Sequence, residues 1–440
     1  MALMLRSDRL IIFGRYPVPG RTKTRLTPLL GAARAADLQR DLTERTLRTD
    51  RGVARRRPVD LEACFEGGSL SKLRRWLGPN LIFSQQSSGD LGERMKAAFL
   101  QAFQQGAQQV LLHGTDIPDL TTRHIDEAFD ALKTHDLVLG PSTDGGYWLV
   151  GLKKPADLFD GIEWGSSSVF DKTAAAALGQ GLSLHVLSPL TDMDTGEAVR
   201  HRMPDWARSR PYVSVILPAL NEEAHIVETI LSARNPDAEI LVVDGGSGDR
   251  TVEQAERAGA AVIRGPRGRA LQQNRGAREA KGSVLLFLHA DTRLPEDYVT
   301  QVFETLMDRR VVLGAFRFKT DLHRPLMRGI EFTTNIRSRY LRLPYGDQAL
   351  FVRRSCFQAV GGFPEMPIAE DLFFVRLVSN LGRIAVVPSP AITSGRRWKE
   401  GGVLRTTLIN QLILAGFALG ISPETLAGLY RRGTGKKRTI

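Results

Sequence analysis

V-S-V-I-L-P-A-L-N-E-E, Val213 to Glu223, is the stretch whose reading decides the fold. Five residues suited to a buried strand, Val213 to Leu217, break at Pro218 into a short polar loop. An opening of the same kind lies at Leu10-Ile11-Ile12-Phe13, followed by the basic loop G-R-Y-P-V-P-G-R-T-K-T-R-L, Gly14 to Leu26. A short apolar run bounded by turn residues reads as a strand buried on both faces. Such a strand delivers its trailing loop to the carboxyl edge of a parallel sheet, where open α/β folds bind ligands. Each opening is followed by a second apolar strand that ends in an aspartate: L-L-H-G-T-D at Asp116 and L-L-F-L-H-A-D at Asp291. A carboxylate there, facing a basic or N–H-rich loop, suits a metal-bridged diphosphate. The arrangement occurs twice, which predicts two nucleotide-handling sites.

The 440 residues suffice for two domains, and 42% hydrophobic with 25% charged residues is ordinary for a soluble globular protein. Alternation of strands with helix-length segments predicts an α/β class: two mostly parallel sheets in tandem. The first module is expected over 1–200, with strands at Val110–His113, Leu137–Gly140, Tyr147–Val150 and Leu184–Leu187. A linker is expected over 201–211, where two prolines and three arginines interrupt any periodicity. The second module is expected over 212–440, with strands Ile240–Val243, Ala261–Ile263 and Val284–Leu288 between helices. The halves share no residue-level repeat, only this architecture.

Charge divides unevenly. Through Asp205, 26 Lys and Arg face 25 Asp and Glu; from Trp206 onward, 34 face 23, so nearly all of the net +12 belongs to the second half. A basic surface suits nucleotide diphosphates or an anionic membrane, and without a helix-turn-helix, zinc or aromatic-stacking signature nucleic acid is not the expected partner. No run reaches the roughly 18 apolar residues of a membrane span. Leu412 to Ile421 reads either as a buried terminal helix or, with Arg431, Arg432, Lys436, Lys437 and Arg438 behind it, as an interfacial one. The two cysteines, Cys64 and Cys356, match no metal-ligand spacing and read as small buried hydrophobes of a reducing compartment. A cytoplasmic location, with peripheral contact at the inner membrane face as its variant, is the expectation.

In the second module, Pro218, Asn221 and Glu222 follow one strand and V-V-D-G-G-S-G-D-R-T follows its neighbour. Asp244 is placed to accept from the N–H edge of a base, with Gly246 allowing close backbone approach. G-R-A-L-Q-Q-N-R-G-A, Gly268 to Ala277, sets Arg269, Asn274 and Arg275 where a pyrophosphate would lie, and Asp291 ends the central strand with room for a divalent cation. These residues resemble the family 2 glycosyltransferases of GT-A fold over Val213 to about Thr407. The resemblance implies that Asp244 contacts the base and that Asp291 holds Mg²⁺ or Mn²⁺ on the diphosphate of a nucleotide sugar. It implies a general base at Asp371, in the Glu370-Asp371 pair of P-I-A-E-D-L-F-F. Asp347 and Gln348 resemble the family's acceptor wall, and T-S-G-R-R-W resembles its Arg-Trp motif. There Arg396 or Arg397 would steady the leaving diphosphate and Trp398 would stack on a sugar. One departure stands out: the usual Asp-x-Asp is His289-Ala290-Asp291.

In the first module, Pro17, Pro19 and Gly20 stiffen the loop after Gly14 and throw Arg21, Lys23 and Arg25 toward one point, which suits a triphosphate. Asp116 is the expected metal ligand, joined by Asp192 and Asp194 of T-D-M-D-T, and Asp144 with Gly145 offers a floor for close approach. This set, over most of residues 8–197, is similar to small nucleotidyltransferases of the molybdenum-cofactor and 2-phospholactate guanylyltransferase type. It resembles more closely the transferase pair found beside radical-SAM and arsenosugar genes. The resemblance implies catalytic roles for Lys23 and Arg25 in joining a sugar phosphate to a nucleoside triphosphate. The expectation is thus a bifunctional enzyme: one site makes a nucleotide sugar, and the other passes the sugar, with inversion, to a small-molecule or lipid-linked acceptor. Two alternatives remain open, a non-catalytic regulatory first module and a membrane-binding second module without catalysis.

Overall fold

Seven strands of the first half and eight of the second form two separate sheets in the computed structural model, which describes residues 8–208 and 210–434. The chain divides into two units, Met1–Ser209 and Arg210–Ile440. The expected linker is largely helical: Gly196–Arg202 and Pro204–Ala207 are helices of the first unit, and Arg34 donates to the carbonyls of Trp206 and Arg208. The prolines predict a break, but Pro204 sits at the first helical position, where its missing N–H costs nothing.

The first sheet runs β3-β2-β1-β4-β6-β5-β7. Its strands are β1 (Asp8–Arg15), β2 (Val59–Glu66), β3 (Ile82–Gln85), β4 (Gln109–His113), β5 (Leu137–Pro141), β6 (Tyr147–Leu152) and β7 (Leu184–Val186). All pairs are parallel except those of β6, which opposes both β4 and β5. The exception has a geometric cause. Only residues 142–146 join β5 to β6, far short of the dozen or more that a parallel crossover needs.

The second sheet runs β10-β9-β8-β11-β14-β13-β15-β12. Its strands are β8 (Val213–Ala219), β9 (Ala238–Asp244), β10 (Ala261–Arg264), β11 (Val284–Phe287), β12 (Thr292–Arg293), β13 (Val311–Thr320), β14 (Leu350–Arg353) and β15 (Arg383–Thr393). Again one interior strand, β14, runs against its neighbours β11 and β13. Apart from the added edge strand β12, the two orders coincide position by position, with the reversed strand in the same place. The fold is α/β, two GT-A-type sheets in tandem. In each, the central opening strand (β1, β8) lies beside the strand that leads to Asp116 or Asp291 (β4, β11).

Helices cover both faces. In the second unit, Ala270 and Ala277 of the helix Arg269–Glu279 pack on Ile216, Val243 and Phe287. Gly276 makes that approach feasible, since a Cβ there would lie 2.5 Å from Ile216. In the first unit, Leu26, Leu30 and Leu38 share a cluster with Met193 and Val199. That cluster draws the basic loop onto the T-D-M-D-T segment. No helix of the described residues is long and apolar enough to cross a membrane. Leu412 and Leu419 are not buried as a terminal core helix requires; they are 60% and 81% exposed. Lys436, Lys437 and Arg438, and the side chains of Arg431 and Arg432, lie outside the described residues.

Candidate active sites at the strand ends

In the second unit the loops after β8 and β9 are laced together before any ligand is considered. Asn221, in the left-handed region at φ 55°, accepts from Gly248 N–H at 2.8 Å, and its own N–H donates to Ser247 Oγ at 2.9 Å. Glu222 N–H donates to Thr251 Oγ1 at 2.7 Å. Asp244 is buried, and its carboxylate accepts from Gly246 and Ser247 N–H at 3.0 and 3.1 Å. It shapes the loop that would meet a base. Gln272, overlooked in the sequence, donates to the carbonyls of Ala219 and Val243 at 2.8 and 2.7 Å and so ties β8 to β9 at their ends. The signal for it was its place one helical turn after Arg269.

Charge gathers at the end of β11. One nitrogen of Arg396 touches Glu222 Oε1 at 2.6 Å and Asp291 Oδ2 at 3.2 Å, so both carboxylates lie on the same guanidinium. Glu222 Oε2 is sealed from solvent without a partner. From the other side the helix Glu370–Ser379 starts at Ala369, whose φ of 63° turns the chain sharply into its first turn. Asp371 accepts from Gly346 N–H at 2.7 Å and from Leu372 N–H at 2.8 Å. Glu370 is buried against Arg269 at 3.4 Å, and burial, opposed by Arg269, raises its carboxyl above the usual range. The structure sets it beside Arg269.

Two polar atoms beside Asp371 lack partners. A Cβ on Gly346 would stand 2.9 Å from His289 Nε2 and 3.2 Å from Asp371 Oδ2, so the imidazole and the carboxylate flank one backbone position. His289 Nε2 has neither solvent nor partner. Burial first, then the guanidinium groups of Arg269, Arg397 and Arg396, hold its pKa well below the ordinary value, so the ring is neutral. Asp347 follows Gly346, its Oδ1 likewise sealed and unpartnered, and burial lifts its carboxyl to about 6.

Two expectations, for Gln348 and Trp398, fail here. Gln348 is fully buried, donating to Phe316 O and accepting from Ser338 Oγ and Tyr345 N–H, so it shapes the wall without facing an acceptor. Asn274 exchanges two hydrogen bonds of 2.9 Å with the backbone of Phe363, which leaves one amide N–H over. Trp398 is core, 5.9 Å from Phe318 and packed with Met327 and Val403, because its apolar face found a buried cluster before it could find a sugar.

In the first unit the basic loop lines a cleft of about 290 Å³ with Gly14, Arg21, Lys23, Arg25, Asp116 and Asp194. Lys23, in the left-handed region at φ 47°, is buried. Its ammonium donates to Asp116 Oδ2 at 3.2 Å, Asp194 Oδ1 at 3.0 Å and Met193 O at 2.9 Å. Burial works against that charge, yet Asp116 and Asp194 outweigh it and the net effect raises the Lys23 pKa. Asp192 rises to about 6 through burial and the nearby Asp194, Asp144 and Asp116 carboxylates. Among the described residues no group of three or more acidic, histidine or cysteine side chains is arranged to hold a metal ion. The Lys23 ammonium stands between Asp116 and Asp194, and Asp192 lies near both carboxylates. Gly145 serves packing, not ligand approach, for a Cβ there would fall 2.2 Å from Ser167 O. Asp144 closes its own turn through Ser142 Oγ and Gly146 N–H.

Residues 49–166 match the family described as an uncharacterized protein conserved in bacteria, DUF2064, and residues 214–361 match glycosyl transferase family 2. An uncharacterized glycosyltransferase of Haemophilus influenzae is 25% identical over 38% of this chain and 71% of its own length. A probable glycosyltransferase of Bacillus subtilis, YdaM, is 27% identical over 41% of this chain and 50% of its own, so the chain spans half of that relative. A crystal structure from Desulfovibrio desulfuricans, titled a "putative nucleotide-diphospho-sugar transferase", is 35% identical over 47% of this chain and 92% of that one, with a TM-score of 0.42. The second unit carries a glycosyltransferase family 2 domain, and the first carries a segment of the DUF2064 family.

Proposed function

We propose that the second unit transfers a sugar, with inversion, from a nucleoside diphosphate donor to an acceptor hydroxyl. The observation that carries this reading is that Asp371 Oδ2 and the unpartnered His289 Nε2 flank Gly346, with the unpartnered Asp347 Oδ1 on the next residue. Buried polar groups ordinarily have partners, so neighbouring orphans mark a place where a polar ligand completes the bonding. A sugar or polyol acceptor, with several hydroxyls, would satisfy both and leave one hydroxyl for Asp371. Asp371 takes that proton as the oxygen attacks the anomeric carbon and the bond to the diphosphate breaks, the electron pair leaving with the diphosphate. Arg269, Arg396 and Arg397 supply the positive field on the departing side. Asp291 and the spare Glu222 oxygen fit Mg²⁺ or Mn²⁺, which commonly takes one or two carboxylates and draws its other ligands from phosphates and water. Such an ion would neutralise charge on the diphosphate.

The finer reading gives the first unit the preceding step, the joining of a nucleoside triphosphate to a sugar phosphate with release of pyrophosphate. Its support is the cationic cleft and the shared strand order. A second reading is favoured by one fact: Lys23 is already neutralised by Asp116 and Asp194, as suits a regulatory nucleotide site without chemistry. Incubation with nucleoside triphosphates and a panel of sugar phosphates separates the two. Pyrophosphate release that Lys23→Ala abolishes supports the catalytic reading; nucleotide binding without release supports the regulatory one.

A further inference from the structure

Nineteen large apolar side chains are exposed among the described residues, and eleven of them fall in two stretches, 326–341 and 404–429. Isolated exposed leucines need no explanation, but a concentration of this kind does. Phe332, Ile336 and Tyr340 are spaced four apart along the helix Pro325–Tyr340, and Leu404, Leu408 and Leu412 are spaced alike along Val403–Ala418. Residues four apart share one helix face. The opposite sides of the two helices are already engaged: Met327, Ile330 and Val403 join one small core with Phe318, Leu322 and Trp398, and Phe417 meets Phe373 at 5.4 Å. A surface helix of a globular protein normally turns charged residues outward once its apolar stripe is buried. These two bury one apolar side and expose another.

Arginines outnumber acids around the exposed faces, where Asp321, Glu400 and Glu424 are exposed acids at the ends of these segments. Arg324, Arg328, Arg339, Arg342 and Arg405 are exposed, whereas the one acid within 322–342, Glu331, is buried, and 402–423 contains none. A symmetric pairing of two copies through this face would set arginines against arginines. Leucines and aromatic rings flanked by arginines are instead the composition that seats a helix in the headgroup region of an anionic membrane. We propose that the outer faces of Pro325–Tyr340 and Val403–Ala418 form a docking surface for an anionic lipid bilayer. The assignment stands apart from the catalytic reading, because it uses the exposed faces of the two helices and not the sides that carry Ser338 and Phe417.

Cosedimentation of the full chain with phosphatidylcholine vesicles, with and without phosphatidylglycerol, tests it. The parent chain should pellet with the anionic vesicles alone and be released as salt rises from about 0.1 M to about 0.5 M. Phe332→Ser with Leu408→Ser, and separately Arg339→Glu with Arg405→Glu, should each lower the apparent partition coefficient roughly tenfold or more. All four positions are exposed, and circular dichroism with thermal melting checks that the variants stay folded. A parent that does not pellet, or variants that pellet as the parent does, overturns the proposal. So does light scattering that shows a dimer which the serine variants dissolve, since that assigns the face to a second copy.

Discussion

On the proposed mechanism Asp371 is the residue on which the chemistry turns, and its surroundings explain what replacing it should do. Gly346 and Leu372 N–H groups hold the two carboxylate oxygens, so Asp371→Asn removes the proton acceptor and keeps only one of these two hydrogen bonds. Sugar transfer should fall roughly 10²–10⁴-fold, the usual worth of a positioned base, with donor affinity nearly unchanged. Steady-state rates beside calorimetric donor titration check this. Asp347 predicts a pH signature. Its carboxyl, lifted to about 6, is ionised above that value and protonated below it. The KM for acceptor should therefore rise as pH falls through about 6, and Asp347→Asn should remove that inflection while weakening acceptor binding at all pH values. An inflection that persists unchanged in the variant would mean another group titrates there.

At the scale of elements, the strand-end aspartates and the parallel core strands were legible because period and length alone mark buried strands. β2 and β3 were missed, since V-D-L-E-A-C-F-E hides a buried strand behind Glu62, which pairs with buried Arg9 at 2.6 Å. Trp398 and Gln348 were misassigned for a related reason: a motif names a residue type, while packing decides which way the side chain faces. Gly145 illustrates the same limit. With φ 92° and Ser167 O 2.2 Å from any Cβ, Gly145→Ala should destabilise the first unit by about 2 kcal/mol or more, read as a lowered Tm. The buried His113–Asp50 pair, 3.4 Å apart beneath the end of β4, gives that unit a pH dependence. Burial alone would depress the His113 pKa, but the Asp50 carboxylate and the Gly114 carbonyl outweigh it, so the folded value lies above the unfolded one. The pair's contribution is complete below about pH 6.5 and is lost as pH rises through the folded value. Melting of the first unit should therefore weaken from pH 6 toward higher pH, and His113→Phe should flatten that slope.

Across the whole molecule, each unit carries its own opening strand, its own strand-end aspartate and its own cation laid on that aspartate: Lys23 on Asp116, and Arg396 on Asp291. Two self-contained sites should fail separately. Lys23→Ala should abolish pyrophosphate release yet leave transfer from preformed donor within about twofold, whereas Asp291→Ala should do the reverse, an independence usual for sites that share no partners. If either variant silences both activities, the sites are not independent. The central claim, that the second unit transfers sugar with Asp371 as base, is tested most directly by one comparison. The full chain and Asp371→Asn are supplied with UDP- and GDP-sugars, a polyol acceptor and Mn²⁺, and the initial rate of nucleoside diphosphate release is measured. Acceptor-dependent release by the parent, at least about a hundredfold slower in the variant, is the predicted result. Equal rates in the two proteins would contradict it.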